Sequence, residues 1–473
     1  MNKRITKIYE NSPAFVKNAA ISAYGYYLKK KRYGKRYEEF VNSERGNAKL
    51  TLAELEKIQL KKLKTLLQDA NQYSPYYHKA FETAGVTDTD IRNATDAYQL
   101  LARLPYLEKA DLRAHMSDIV SRDGKRKTVG VTFTSGSTGT PMAVEQDADA
   151  SQYGFAVWRR FYDWMGLPES FKSVRFSGRI IISPSQDQPP FWVYNASTSQ
   201  LFMSTYHLTE EHLESYIRKL NSFQPQLIDG YPSAITVIAK YIHRNNIKLA
   251  FTPTAIATTA ETLTPENQRL IETAFRCPVY NQYASSEGAP FICQCREGQM
   301  HLWIDTGVFE FINKVPYNDE LDLAELVVTS FRSLKTPLIR YRIGDTVLVY
   351  KDHRTCSCGC QYPIIHSVTG RVDDILFTRE KGYVGRLDTA YKGVEGITES
   401  QIIQHDVDHI EVKIVKNKLY DESQENLLLK NLKDRLGTNV QYELHSVESI
   451  PRGANGKFRT VVREFKIEDN ESR

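Results

Sequence analysis

No stretch of the sequence approaches the ~18 uninterrupted apolar residues that a bilayer-spanning helix needs, and no secretory signal opens it. Internal repeats and low-complexity segments are lacking too, which sets aside repeat architectures. Cysteine is scarce, six in 473 residues, and none lies outside positions 277–360. A disulfide framework would scatter its cysteines through a small secreted chain, so this clustering points to a metal instead. Acids are nearly missing from the first 36 residues, where ten Lys and Arg meet only Glu10. That segment carries +9 of a total of +5 and leaves the other 437 residues at −4.

What is present is ordinary for a folded chain. Apolar residues make up 41% and charged residues 25%, enough apolar material to exclude a mostly disordered protein. At roughly 100–200 residues per domain the length suits two to four domains. The expected location is the cytoplasm. The basic N-terminal segment (1–36, within a helical stretch reaching residue 45) mixes Phe15, Val16, Ile21, Tyr24, Tyr26, Tyr27 and Leu28 with its cations. It has two readings: an amphipathic helix against the inner face of a membrane, or a helix docked on the body with a solvated basic end. Nucleic acid is not an expected partner, because no recognisable module of stacking aromatics accompanies the charge.

Thr51 followed by Glu54 forms a capping box for a helix over 51–72, with Leu55, Ile58, Leu63 and Leu66 or Leu67 on one face. Further on, strand-like runs (RIIIS 179–183, AIAT 255–258, PVYNQY 278–283, ELVVTS 325–330) interleave with helical segments at 209–222, 232–245 and 265–275. The alternation predicts an α/β architecture. After Arg371 come EVKIV and a helical 422–436, which suit a separate small α+β domain over 372–473.

TFTSGSTGTP (132–141) carries the strongest local signal. A strand from Val131 to Phe133 runs into Thr134, Ser135, Gly136, Ser137, Thr138 and Gly139, whose backbone N–H groups and hydroxyls could wrap a phosphate. It is not a Walker A loop, since no Gly-Lys-Ser/Thr follows at the required spacing. Tyr283-Ala-Ser-Ser-Glu287 follows a strand, where α/β proteins bind ligands. RYRIGD (340–345) brings Asp345 to a turn, GRVDD (370–374) brings Arg371, and GANGKFR (453–459) sets Lys457 in a glycine-flanked loop. Each alone has a plain structural reading as turn former, surface ion pair or solvated lysine.

In this order the five motifs resemble the adenylate-forming superfamily of acyl-CoA synthetases over nearly the whole chain. SPYYHKAF (74–81), LPYLEKADL (104–112), IDGYPSAI (228–235), TPLIRYRIGD (336–345) and ITESQIIQ (397–404) are similar to the phenylacetate–CoA ligase branch and its CapK-type relatives in capsular polysaccharide biosynthesis, and AYGYYLKKKRYGKRYEEF (23–40) leans to the CapK side. The resemblance implies a large N-terminal adenylation domain (1–371) with mixed sheets and flanking helices, and a small mobile C-terminal lid (372–473). It also implies a two-step reaction: a carboxylate attacks the α-phosphate of ATP, then an acceptor nucleophile displaces AMP.

Roles follow residue by residue. The 134–139 loop would hold the β- and γ-phosphates beside Tyr283 and Ser286, and Glu287 would ligate Mg²⁺. Asp345 would bind the ribose hydroxyls, Arg371 would support ribose or phosphate, and Lys457 would neutralise charge at the α-phosphate. Asp373 would be the hinge of a swinging lid. Departures are Thr140 where a lysine is frequent, Ala284 where a glycine is usual, and an unusual stretch after Asp374, which weakens CoA as acceptor.

Cys295, His301, Cys356 and Cys358 would make a closed Cys₃His structural zinc site, with Cys293 and Cys360 as rival ligands and Cys277 a core residue. Tyr206, His207, Tyr231 and Ser285 match acyl-pocket positions loosely, and His207 is open between pocket and core. The expected function is an AMP-forming ligase passing an acyl group to an amine or hydroxyl of a sugar precursor. The alternatives are an aryl- or acyl-CoA ligase and a zinc-stabilised nucleotide-binding protein without catalysis.

Overall fold

The computed structural model of the chain describes residues 9, 12–133, 143–183, 186–285, 287–371, 376–380, 382–384, 387–391, 393–452 and 458–465. They fall into two compact units. The first runs to Ile343 and resumes over Val347–Ser367; the second comprises Gly344–Thr346 and everything from Val368 onward.

The first unit opens with helices α1 (Ala14–Arg32), α2 (Lys35–Asn47) and α3 (Leu52–Tyr73). The Thr51–Glu54 capping box forms at the start of α3, and Leu55, Leu63, Leu66 and Leu67 are buried. A hairpin, β1 (Gly130–Phe133) with β2 (Ala143–Gln146), pairs Phe133 with Ala143 and so brackets the glycine-rich segment. Helix α4 (Ala148–Trp164) follows, N-capped by Asp147.

A nine-stranded sheet is the centre of this unit. Its strands are β3 (Ser173–Ser177), β4 (Trp192–Asn195), β5 (Gln200–Ser204), β6 (Leu227–Gly230), β7 (Ala255–Thr259), β8 (Val279–Tyr283), β9 (Ile292–Gln294), β10 (Met300–Leu302) and β14 (Ile364–Ile365), in the order β14-β10-β9-β8-β7-β6-β3-β5-β4. The five from β5 to β8 are parallel, and the strands beyond them at both edges run antiparallel. Right-handed crossovers need helices, here α5 (Glu210–Phe223), α6 (Pro232–Arg244) and α7 (Pro265–Phe275). Their apolar faces, through Tyr216, Ile238 and Phe275, close on Val174, Ile228 and Ile256.

Two sequence expectations are corrected. RIIIS (179–183) is not a strand: β3 is SVRFS, which alternates Val174 and Phe176 inward, while Ile181 and Ile182 bury themselves in the following loop against Val193. A short apolar run needs burial, and a packed loop supplies it as well as a strand does. Asp345 is not in a turn but inside the long strand β13 (Leu338–Tyr350), next to Gly344 at φ +82°. That strand belongs to a second sheet with β11 (Gly307–Pro316) and β12 (Leu321–Ser330), so ELVVTS sits in an antiparallel layer.

Three sequence motifs meet on β13. Tyr77 donates its hydroxyl to the Pro337 carbonyl and accepts from the Ile339 amide; Leu107 donates to the Arg340 carbonyl and accepts from the Arg342 amide. Arg340 takes Glu310 bidentately.

In the second unit β15 (Ile397–Asp406), β16 (His409–Lys416), β17 (Gln441–Ser446) and β18 (Val461–Arg463) form a sheet in the order β17-β16-β15-β18. Helix α8 (Glu422–Leu436) covers it with Leu428, Leu432 and Leu436. A large mixed α/β body with a smaller α+β unit is the architecture expected from the sequence.

Candidate functional site

Ligands of parallel α/β sheets bind beyond the carboxyl ends of the strands, and there the expected substrate residues gather. Strand β3 is followed by Gly178, whose carbonyl accepts the Tyr206 hydroxyl at 3.0 Å. The Tyr231 hydroxyl is bonded to the same Gly178. The last residue of β6, just before Tyr231, is Gly230, at φ +145°; a Cβ there would be 2.0 Å from the Phe176 oxygen, so only glycine fits. Beneath, Arg175 grips Asp229 through two bonds of 2.7 and 2.8 Å. Strand β7 leads into Ala260 at φ +70°, a left-handed conformation costly for a residue with a Cβ, and Glu261 accepts the Ser233 amide.

Tyr283 closes β8, and the chain turns at Glu287. Ser285 holds it: its carbonyl accepts from Gly288 N and its hydroxyl from Ala289 N. Ser286 lies outside the described residues. The turn leaves Glu287 half-buried.

His207 is buried, with Nδ1 2.8 Å from Ser204 Oγ, Nε2 3.1 Å from the Ser183 carbonyl and the ring stacked on Phe191. Burial lowers its pKa from the usual histidine value. Both ring nitrogens are therefore occupied in holding the β5 end.

In the second unit Asp345 is half-buried beside Thr346, whose hydroxyl is 2.7 Å from Thr369 Oγ1 and donates to the Gly370 carbonyl at 3.1 Å. The residue that follows RYRIGD thus reaches the glycine that opens GRVDD. The Arg371 backbone is in a strand, while its side chain lies outside the described residues, as do 134–139, Asp373 and Lys457.

A second cluster lies at the far edge of the sheet. Cys295 follows β9, His301 sits in β10 opposite Cys293, and Cys356 and Cys358 share a loop that turns at Gly359, φ +84°. Cys295 Sγ is 3.6 Å from Cys356 Sγ, and Cys358 Sγ is 3.5 Å from His301 Nε2; all four ligand atoms lie within 4.8 Å of one another. Tetrahedral bonds of ~2.3 Å to sulfur and ~2.0 Å to nitrogen would put neighbouring ligand atoms about 3.6–3.8 Å apart. The set fits. His301 Nδ1 lies 3.2 Å from the Tyr362 carbonyl, which fixes the tautomer that leaves Nε2 free, and the Cys358 and Cys360 amides donate to the Cys356 and Cys358 sulfurs. Cys293 and Cys360 stand outside the foursome. Cys277 is a buried core residue whose thiol is pushed up to about 12 by burial.

Two charged features had no signal in the sequence. Arg160, on α4, is buried between Asp305 and Glu44. Arg332 threads between Gly154 and Gly288, its Nε buried and unbonded. Among the described residues no carboxylate pairs with it, and burial pulls its guanidinium pKa down.

A family model for the CapK C-terminal domain matches residues 376–464, nearly all of the second unit. Over the full length the chain is 36% identical to the protein CapK of Staphylococcus aureus, across 97% of this chain and 99% of that one. The chain belongs to the CapK family. This chain also shares 22% identity with a phenylacetate–coenzyme A ligase of Thermus thermophilus, over 86% of this chain and 96% of that enzyme. Among solved structures, a 2-hydroxyisobutyryl-CoA ligase crystallised in the postadenylation state with an acyl-AMP superposes with TM-score 0.68 at 20% identity, covering 88% of this chain and 91% of that one. The fold of this CapK-family chain is thus that of the adenylate-forming acyl-CoA ligases.

Proposed function

We propose that this CapK-family protein is an ATP-dependent, AMP-forming ligase that adenylates a carboxylic acid and passes the acyl group to an amine or hydroxyl of a sugar precursor in surface polysaccharide assembly. One observation carries the adenylation half: Tyr206, Tyr231, Ser285 and Glu287 follow the carboxyl ends of the parallel strands β5, β6 and β8 of one sheet, on a fold shared with enzymes that make acyl-adenylates.

In this reading Tyr206, Tyr231 and Ser285 line the acid pocket, with His207 as its buried support. Thr134 to Gly139, Tyr283 and Ser286 embrace the phosphates, Asp345 and Arg371 hold the ribose, and Lys457 compensates charge on the α-phosphate. Asp373 is the hinge about which residues 372–473 move. Glu287 offers the oxygen donor that suits Mg²⁺. Cys295, His301, Cys356 and Cys358 hold a structural zinc ion, which supplies cross-linking and no chemistry, since four protein ligands leave no open position. The work is done where ATP is available, in the cytoplasm.

CoA is the second acceptor to consider, because phenylacetate–CoA ligase is a relative and the superposing hydroxyisobutyryl enzyme has also been crystallised with CoA. Carboxylate-dependent exchange of pyrophosphate into ATP over a panel of acids tests the first half-reaction. Exchange should appear with one class of acid and fall roughly 100-fold or more in Glu287→Gln and Lys457→Ala. AMP release on adding CoA or an amino sugar then separates the acceptors. Exchange with no acid, or exchange indifferent to both substitutions, would overturn the proposal.

A further inference from the structure

Helix α1 is built inside out. A helix lying on a protein body ordinarily buries an apolar stripe and shows polar residues to water. Here the buried side is mostly polar, with Ile21 packed on Val193 as an apolar exception, because it rests against β4, the edge strand of the nine-stranded sheet. An edge strand presents unpaired backbone groups that need partners. Asn18 Oδ1 accepts the Tyr194 amide at 2.8 Å, Ser22 Oγ accepts the Ala196 amide at 3.0 Å and donates to the Tyr194 carbonyl, and Lys29 reaches the Ser197 carbonyl. Gly25 lets the helix approach, since a Cβ there would meet Asn195 at 2.4 Å. The helix therefore spends its polar residues on the sheet edge.

Its opposite face is left apolar and exposed. Phe15 is 73% exposed, Tyr24 63%, Tyr26 57% and Tyr27 51%, with the small Ala19, Ala20 and Ala23 between them. The stripe runs about 18 Å along the axis, at 1.5 Å per residue. Contiguous exposed apolar surface of this kind marks an interaction site rather than chance. Its C-terminal end is cationic: Lys30 lies 4.8 Å over the Tyr26 ring and Lys31 4.6 Å over Tyr27, followed by Arg32 and Lys35. No acid occurs between Ala14 and Arg32.

We propose that this face docks on an anionic lipid bilayer, lying in the interfacial plane with Phe15 and the tyrosines at the headgroup–acyl boundary. Tyrosine, part apolar and part hydroxyl, suits that boundary, and the lysines reach outward to lipid phosphates. A second copy of this helix is a poor occupant, because it is equally free of acids between Ala14 and Arg32 and would offer Lys30, Lys31 and Lys35 no carboxylate. Among the described residues no helix is long and apolar enough to cross a membrane, so α1 would hold the protein on the surface and not through it.

The test is co-sedimentation of the full-length protein with vesicles of phosphatidylcholine alone and of phosphatidylcholine with phosphatidylglycerol, at physiological and high salt. Binding is expected on the anionic vesicles only, weakened by salt. The triple variant F15S/Y24S/Y27S should bind roughly tenfold less or worse, and K30Q/K31Q should lose the preference for anionic lipid. Both sets are exposed, and circular dichroism and thermal melting check that folding is retained. Tyr27→Trp gives an independent readout: its emission should shift to the blue and be quenched by brominated lipid. Absence of wild-type binding, or equal binding by the triple variant, would overturn the proposal. So would sedimentation velocity showing a dimer that the triple variant dissolves, which would assign the face to self-association.

Discussion

Arg160 Nη1 lies 2.7 Å from Asp305 Oδ2, in a site where both residues are buried. The same nitrogen is 3.1 Å from Glu44 Oε2, and Asn47 donates to Asp305 from the helix that carries Glu44. This contact fastens α2 to the short turn at Ile304–Thr306 and to α4. Removing one partner of a buried pair leaves an uncompensated charge and costs about 3–5 kcal/mol. Asp305→Asn should therefore lower the denaturant midpoint sharply, whereas the loss of a surface pair such as Arg218–Glu214 should be barely measurable.

Glu44 responds to pH in the opposite sense to Asp305. Burial raises the Glu44 carboxyl above its usual range despite Arg160, so its charged form costs stability as pH rises above the unfolded value near ~4.3. Burial also pulls Asp305 up, but Arg160, Lys62 and Asn47 outweigh it and leave the carboxyl below its usual range. Its stabilisation is present above the unfolded value near ~3.9 and is lost as pH falls through the folded one. Glu44→Gln should gain relative to wild type as pH climbs from ~4 to 7, read as the difference between two urea-midpoint profiles.

Chelation and Cys358→Ser should have the same effect if the four-ligand cluster holds zinc. Metal content, measured by atomic spectrometry, should drop from one ion per chain to none, and the melting temperature should fall by several degrees, since loss of a structural metal is among the large single destabilisations. Cys277→Ser should leave metal content unchanged. A Cys358→Ser protein with full metal would refute the assignment.

Gly230→Ala should be severe for a backbone reason. The position combines φ +145° with a Cβ-to-oxygen approach of 2.0 Å, so the β6 end must move away from β3. A loss of at least ~2 kcal/mol is expected in thermal melts, with substrate binding disturbed more than melting alone explains, because Tyr231 is the next residue.

Most of the architecture was legible because its signals are local. Thr51 and Glu54 start a helix in any context, and the helix over 422–436 reads from its own periodicity. The grouping at the sheet edge was legible as well: Cys295, His301, Cys356 and Cys358 are residues the structure brings together. RIIIS failed since apolarity signals burial before it signals geometry. Asp345 was misplaced because Gly-Asp is a turn signal, while strand pairing with other segments of the chain, β12 among them, decided on a strand. The charges of Glu44, Arg160 and Asp305 lie more than a hundred residues apart, and no sequence pattern announces which will meet. Arg332 was equally silent, because the two glycines that admit it belong to other segments.

The far edge of the central sheet sets the order in which this chain can finish itself. Strand β10 is covered by Ile364 and Ile365, and His301 gains Cys358 as a neighbour, only after some sixty further residues have followed it. A chain leaving the ribosome therefore shows Cys295 and His301 as half a binding site, on an uncovered strand, for as long as that stretch takes to emerge. During that interval the sheet is open to mispairing and the thiol to oxidation. If the four residues hold zinc, the ion can take all of its ligands only once Cys356 and Cys358 have emerged.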